Sequence, residues 1–218
     1  MPCPICGIRK PRRFCPVKYA EICSQCCAEG REETIDCPLG CEFLRDAHRH
    51  ENKPEYDASK VPNLDVNVTE SFLGQHEVLL AFLAIGIFEG AMRNPAVTDY
   101  DVREAFESLI RTYKSAQSGI IFESRPVNPY AAAIVDHVAA KVAEVREKEK
   151  AATGGTTLDD LTLIRILAFL ERLEYSHNNG RRKCRAFLDF LSGFYSPMAA
   201  GESDAAKSAE PGEPLIIT

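Results

Sequence analysis

Eight of the nine cysteines of this chain lie within its first 41 residues, and this concentration limits what the N-terminal part can fold into. Two pairs have the spacing Cys-x2-Cys: Cys3 with Cys6, and Cys23 with Cys26. Such a pair directs two sulfur atoms at one tetrahedral ion, and zinc is the ion that four thiolates favour in a structural site. In a cross-brace, where the first ligand pair joins the third, these four cysteines form one zinc site.

The other cysteines of this segment predict a second zinc site, whose ligands would be Cys15, Cys27, Cys37 and Cys41. The last two belong to the sequence Asp-Cys-Pro-Leu-Gly-Cys, in which a Pro-Leu-Gly turn brings both thiols together. A segment this short, with few aliphatic side chains, cannot bury enough surface to fold alone. Two bound ions would supply the missing core.

A second ligand scheme stays open from the sequence alone. Cys26 and Cys27 are adjacent, so they can bind different ions only across a tight bend. The alternative keeps seven cysteines, omits Cys27, and takes His48 or His50 as the eighth ligand. The all-cysteine set is favoured because the turn between Cys37 and Cys41 already places two thiols side by side.

The start of the chain resembles the B-box type of zinc finger. The resemblance covers residues 3–26, where Cys-Pro-Ile-Cys is followed after eight residues by CPVKYAEICSQC. It implies a cross-braced two-zinc module that serves as a partner-binding surface. The chain departs from that family at Lys18, where a B-box has an Asp or Cys ligand, and at Cys37 and Cys41, where it has a histidine pair. The whole chain also resembles an uncharacterised bacterial family with a cysteine-rich N-terminus and a helical C-terminal region.

A basic stretch within the cysteine-rich segment is the candidate partner-binding surface, formed by Arg9, Arg12, Arg13 and Phe14. The chain as a whole carries a net charge of −6. It therefore lacks the basic excess that supplies non-specific affinity for nucleic acids. A protein partner is expected ahead of a nucleic acid. The plainer interpretation of the basic stretch is that its cations offset the charge of the thiolates.

The sequence predicts a division into four parts. Residues 1–50 form the two-zinc domain, and residues 51–68, which are polar and contain two prolines, form a linker. Residues 69–198 show helical periodicity without a strand period, which predicts an all-α helical bundle. Residues 199–218 have the Ala, Gly, Glu, Ser and Pro composition of a disordered tail. The fold class is thus a small zinc-stabilised cross-brace domain followed by an all-α bundle.

Five helices are predicted in the bundle. The first covers residues 70–90 and is apolar on most sides, so we expect it at the centre. The second begins at a capping box, Thr98-x-x-Asp101, and ends before Gly119. The third begins at Asn128-Pro129 and ends in the charged residues 146–150, before a joint at 151–156. The last two begin at Thr157-x-x-Asp160 and at about residue 181, and the final one ends at residue 194.

Several patterns bear on the function class. The sequence has no HExxH, GxGxxG, GxxxxGK[ST] or GxSxG motif, so no catalytic residue is assigned. The most apolar run, residues 78–88, is shorter than the about 20 residues that cross a bilayer. The start of the chain does not follow the pattern of an export signal, which favours the cytoplasm.

The sequence-based prediction is therefore a cytoplasmic zinc-binding adaptor that interacts with other proteins and has no catalytic activity. The alternatives are a nucleic-acid-binding regulator and a thiol-based redox sensor that releases zinc on oxidation.

Overall fold

The computed structural model describes residues 1–50, 57–120, 122–156 and 158–193. The predicted tail, the end of the predicted bundle at 194–198 and with it Phe194, the last residue of the predicted final helix, lie outside these residues. Within the described part of the chain, none of the helices combines the length and the apolar character needed to cross a membrane.

The N-terminal module, residues 1–50, is a two-stranded ribbon followed by two short helices. Its elements are β1 (Arg13–Cys15), β2 (Ala20–Ile22), α1 (Ser24–Gly30) and α2 (Glu42–His50). The strands are antiparallel, and Phe14 pairs with Glu21. Alternation along the ribbon exposes these two side chains and turns Cys15 and Ile22 inward, where both are buried. Besides cysteines, the core of the module contains only a few aliphatic side chains, such as Ile22, Ile35 and Leu44.

The rest of the described chain is helical. A short 3-10 helix (Ala58–Lys60) precedes α3 (Glu70–Gln75), α4 (Glu77–Met92), α5 (Asp99–Gln117), α6 (Pro129–Thr153), α7 (Asp160–His177) and α8, residues 186–193. The most extensive contacts between helices join α5 to α7, α4 to α6 and α5 to α6. Helix α5 therefore occupies the centre, and the expectation that the first long helix is central is wrong. One side of α4 stays open, and Val78 is 81% exposed.

The predicted helix over residues 70–90 is two helices, because His76 interrupts it. The imidazole Nδ1 of His76 lies 2.9 Å from the carbonyl oxygen of Phe72, and the two rings stack with centroids 4.3 Å apart. His76 has a backbone conformation outside the helical region, with φ −119° and ψ 25°. The imidazole of His76 thus competes with the backbone for the carbonyl oxygen of Phe72. The regular helix is interrupted at His76, between α3 and α4.

Two predicted helix starts are confirmed. The capping box at α5 is present: the backbone nitrogen and hydroxyl of Thr98 both donate to Asp101 Oδ2 at 2.7 Å. Asn128 caps α6, accepting a hydrogen bond from the Tyr130 backbone nitrogen at 3.0 Å, with Pro129 as the first helical residue. These caps were predictable because each depends on neighbours in the sequence.

Three helix boundaries differ from the prediction. Helix α6 continues to Thr153 and ends at Gly154, whose φ of +77° suits a left-handed cap. Helix α7 is capped by Asp159, which accepts from the Thr162 backbone nitrogen at 2.9 Å, whereas Thr157 lies outside the described residues. Helix α8 begins at residue 186 rather than 181, because the backbone nitrogens of Lys183 and Arg185 donate to Glu32 of the N-terminal module rather than to a carbonyl oxygen one helical turn earlier.

The described part of the predicted linker is held against α7. The guanidinium of Arg172 donates to the carbonyl oxygen of Val66 at 2.7 Å and contacts that of Asn63, while Arg165 donates to that of Asn67 at 2.8 Å. Residues 57–68 therefore lie along the bundle surface, and residues 51–56 lie outside the described residues.

Candidate metal centre

Four cysteines of the N-terminal module form one sulfur cluster. The Sγ atoms of Cys3, Cys6, Cys23 and Cys26 all lie within 4.8 Å of one another. Four sulfurs at such separations match the ligand number and type of a structural zinc site. The sequence prediction that these four residues come together is confirmed, and the group can hold a metal ion such as zinc.

Local backbone geometry builds this cluster. The first pair encloses a tight turn in which the Gly7 nitrogen donates to the Cys3 carbonyl oxygen at 2.7 Å, and Gly7 has a φ of +67°. The second pair begins α1, where Cys23 is the cap and its Sγ accepts from the Cys26 nitrogen at 3.4 Å. The Cys23 nitrogen donates to the Cys3 Sγ at 3.2 Å, which joins the two pairs.

The environment of the cluster favours thiolate at some positions more than at others. Burial opposes ionisation of Cys3, but the backbone donors of Cys23, Cys6 and Ile5 outweigh it and lower the pKa of Cys3 to about 6. A hydrogen bond with the Cys23 side chain, together with burial, raises the pKa of Cys26 to about 12. A bound divalent cation would keep all four sulfurs deprotonated.

The second set of cysteines lies around one small pocket in the same module. Cys15, Cys27, Cys37 and Cys41 line this pocket of about 20 Å³ together with Ile22 and Ile35. Unlike those of the first cluster, their sulfur atoms do not all lie within 4.8 Å of one another. Burial is the main reason that the pKa of Cys37 is raised to about 11, and neighbouring Cys41 adds to it. The four residues thus share a pocket without forming a sulfur cluster like the first.

The structure places both histidines of the alternative ligand scheme away from the sulfurs. The two ring nitrogens of His48 are bonded to carboxylates, with Nδ1 2.9 Å from Asp189 Oδ2 and Nε2 3.1 Å from Glu32 Oε2. His50 is exposed at the end of α2. Neither histidine is therefore positioned as a metal ligand, because carboxylates occupy the coordinating atoms of one and solvent surrounds the other.

The four candidate partner-binding residues divide into two pairs. Arg9 is exposed, and its interaction with the Cys23 side chain raises the pKa of Arg9. The Nη1 of Arg13 lies 3.7 Å from the Cys27 Sγ, and its guanidinium carbon lies 4.9 Å from the centre of the Phe43 ring. Arg9 and Arg13 thus face sulfur and offset thiolate charge. Arg12 and Phe14 are exposed, the latter to 56%.

Sequence reasoning missed a buried polar group that joins the module to the bundle. Glu32 is fully buried, with a φ of +53°, and its carboxylate accepts from the backbone nitrogen of Arg185 at 2.6 Å and from Asn179 Nδ2 at 2.8 Å. Hydrogen bonds from His48 and these donors lower its pKa against the effect of burial. An acidic residue in a turn carries no sequence signal of such a role, so Glu32 could not be found from the pattern.

The remaining cysteine, Cys184, is buried and separate from both sets. Its Sγ lies 3.1 Å from the buried carboxyl of Asp99 in the bundle. Burial and this neighbouring carboxyl raise the pKa of the thiol. Cys184 is therefore a buried thiol that hydrogen-bonds within the bundle and takes no part in either set.

A groove in the bundle has little polar lining. It has a volume of about 510 Å³ between α4, α7 and α8, and Glu77 is the charged residue among its lining side chains, which otherwise are apolar, such as Leu80, Phe169 and Phe190. An apolar groove with a single carboxylate has no arrangement of acid, base and nucleophile for catalysis.

Comparison with known proteins adds no relative. The chain matches no protein-family model, and no curated protein and no solved structure resembles it significantly.

Proposed function

We propose that the protein is a zinc-binding module that interacts with other proteins and has no catalytic activity of its own. The observation that carries the proposal is the sulfur cluster of Cys3, Cys6, Cys23 and Cys26. Four cysteine ligands leave no coordination position for a substrate or water, so zinc bound there has a structural role. The cytoplasm suits such a site, because a reducing compartment keeps thiols available for metal.

We extend the proposal to a second zinc ion held by Cys15, Cys27, Cys37 and Cys41, which would complete a B-box-like cross-brace. The shared pocket of these residues supports it. Cys26 and Cys27 are consecutive in α1, and consecutive side chains of a helix point about 100° apart. The helix thereby supplies the change of direction that two neighbouring ligands on different ions require.

The partner surface in this proposal is the outer face of the ribbon. Arg12 and Phe14 alternate with inward residues on β1 and its approach, so both side chains project from a rigid, metal-fixed scaffold. An exposed aromatic ring beside an arginine is typical of the residues that dominate protein interfaces. Arg9 and Arg13 stay out of this surface because the cysteines engage them.

The number of bound zinc ions tests the proposal that the N-terminal module holds two structural zinc sites. Native mass spectrometry of the reduced full-length protein should count two zinc ions in the wild type, one in Cys6→Ser and one in Cys41→Ser. Cys184→Ser is the matched control and should keep both ions, because that residue lies in the bundle. A wild type without bound metal would refute the zinc-binding function, and a wild type with one ion would refute the cross-brace.

The partner class is tested by affinity capture with metal-loaded protein. A protein partner should be retained at high salt by the wild type and by Asp46→Ala, an exposed site on α2, and about tenfold less by Phe14→Ala. Retention that disappears at high salt or after nuclease treatment would instead identify a nucleic-acid partner, because phosphate contacts weaken steeply with salt.

A further inference from the structure

We infer that the metal-loaded N-terminal module fixes part of the segment that leads into α8, so that metal loss releases the backbone amides of Lys183 and Arg185 while the bundle, which holds Cys184 through Asp99, stays folded. The inference rests on the proposed function, since it requires metal in the module. It adds a second role for the metal: control of a segment far away in the sequence.

The module holds this segment through Glu32. Its Oε1 accepts from the Arg185 backbone nitrogen at 2.6 Å, and its Oε2 accepts from Asn179 Nδ2 at 2.8 Å. The carbonyl oxygen of Glu32 accepts from the Lys183 backbone nitrogen at 2.7 Å. One residue of the module therefore satisfies two backbone donors and one side-chain donor of the segment, which explains why the segment is not helical.

The side chain of Arg185 spans the contact in the opposite direction. It is 3% exposed and donates to the carbonyl oxygen of Cys37 at 2.7 Å. It also donates to the carbonyl oxygens of Val97 at 2.9 Å and Pro95 at 2.6 Å, in the loop before α5. A buried guanidinium depends on all these acceptors, because an unpaired charge inside a protein is costly. Displacement of Cys37 would remove one of them.

The residues of the module that contact residues 179–185, or that support this contact, lie between candidate metal ligands or close after the last one. Glu32 lies between Cys27 and Cys37, and His48, which also contacts Glu32, belongs to the helix that starts directly after Cys41. The aliphatic core of the module is small. Such a module loses its fixed conformation when its metal is removed, because metal binding supplies much of the folding free energy.

The bundle holds the next turn of the chain by itself. Asp99 of α5 accepts from the backbone nitrogens of Phe187 at 2.8 Å and Leu188 at 3.2 Å. Both side chains are fully buried. Two pairs of amides that are close in sequence thus have acceptors in different parts of the molecule. Those of residues 183 and 185 donate to the N-terminal module, and those of residues 187 and 188 donate to the bundle. This difference makes the inference measurable.

The experiment is amide hydrogen exchange by NMR on the full-length protein, with and without metal. Metal removal should accelerate exchange at Lys183 and Arg185 by about tenfold or more, and at Phe187 and Leu188 by less than about twofold. Unchanged exchange at Lys183 and Arg185 would overturn the inference. Equal acceleration at all four amides would overturn it as well, because the bundle would then not fold independently of the metal.

Two variants of the metal-loaded protein separate the contact from general instability. Glu32→Ala should accelerate exchange at Arg185, whose amide loses its carboxylate acceptor, without loss of metal and without acceleration at Phe187 and Leu188; the Lys183 amide keeps its backbone acceptor and should change less. Glu33→Ala, at the neighbouring position, should leave all four amides unchanged.

The zinc content of each sample distinguishes the two proposals. Protein that binds zinc but shows no selective acceleration contradicts only this inference. Protein that binds no zinc contradicts the proposed function and the metal dependence together.

Discussion

The carboxylate of Glu32 lies 2.6 Å from the backbone nitrogen of Arg185, a residue 153 positions later in the chain. The same carboxylate lies 3.1 Å from the His48 imidazole. This contact ties the cysteine-rich module to the helical bundle, and it determines how both parts should respond to mutation and pH.

Replacement of Glu32 should destabilise the N-terminal module and its contact with the bundle, while the bundle itself stays folded. Glu32→Ala removes the acceptor of three buried donors and leaves the charge of His48 with Asp189 as its remaining carboxylate. We expect the free energy of unfolding to fall by about 3 kcal/mol or more. Urea denaturation of the metal-loaded protein measures it. Glu33→Ala should change stability by less than about 0.5 kcal/mol, and equal losses in both variants would contradict the assignment.

His48 should make stability fall at alkaline pH. Burial disfavours its charged form, but Asp189 and Glu32 outweigh burial and raise the pKa of His48 to about 9. A folded-state pKa above the unfolded value of about 6.5 gives stabilisation that is complete below that value and is lost as pH rises through about 9.

The measurement is the free energy of unfolding between pH 6 and 10, for metal-loaded wild type and two histidine variants. His48→Gln should lose less stability over this range than the wild type. His50→Gln, altered at an exposed position on the same helix, should follow the wild type. If the free energy of unfolding of His48→Gln fell with pH as steeply as that of the wild type, groups other than His48 would cause the fall.

Glu171 should destabilise the bundle above neutral pH. Burial, and then the charges of Glu107 and Glu174, raise the pKa of Glu171 to about 7. Because the folded-state pKa exceeds the unfolded value, stability falls as pH rises from about 4.5 to 7. Glu171→Gln removes this charge and can still accept the hydrogen bond from Asn63 Nδ2, which lies 2.5 Å from the carboxylate.

The expected gain of Glu171→Gln at pH 8 is about 1 to 3 kcal/mol in the free energy of unfolding. At pH 4 wild type and variant should be nearly equal, since the carboxyl is protonated in both states. Thermal or urea unfolding at the two pH values gives the comparison. If wild type and Glu171→Gln were equally stable at pH 8, burial and the neighbouring carboxylates would not disfavour the charged form of Glu171, and the prediction would be wrong.

Arg9 should support metal retention, whereas Arg12 should not. The Arg9 guanidinium interacts with the Cys23 side chain, and partners of metal ligands typically contribute about tenfold or more to metal affinity. Arg9→Gln should therefore release zinc to a competing chelator at about tenfold lower chelator concentration than the wild type. Arg12→Gln removes the same charge from an exposed position and is the matched control. Equal retention by both variants would show that Arg9, which is exposed like Arg12, does not support metal binding.

The sequence predicted those features that depend on near neighbours. The spacing of Cys3, Cys6, Cys23 and Cys26 identified the cluster, because two close pairs constrain four sulfurs. The start of α5 at Thr98 and that of α6 at Asn128 were predictable for the same reason. In each case the signal lies within a few residues, where the chain has little freedom.

What the sequence missed depends on contacts between distant residues. Nothing in the sequence near Glu32 or Arg185 indicates that the two residues meet. Because of this contact, the last helix begins at residue 186 and not at residue 181, where the sequence predicts it. His48 was an alternative ligand because Cys26 and Cys27 are adjacent, yet two carboxylates from other parts of the chain bind it. The break at His76 arises from a side chain that bonds its own helix.

The distance in sequence between Glu32 and Arg185 also affects synthesis. A ribosome adds about 5 to 20 residues per second, so Arg185 follows Glu32 by roughly 8 to 30 s. During this interval the module cannot use the bundle for support, and His48 lacks Asp189. The nascent module must then rely on its cysteines, so the supply of zinc during translation should decide how much of the chain reaches its folded form.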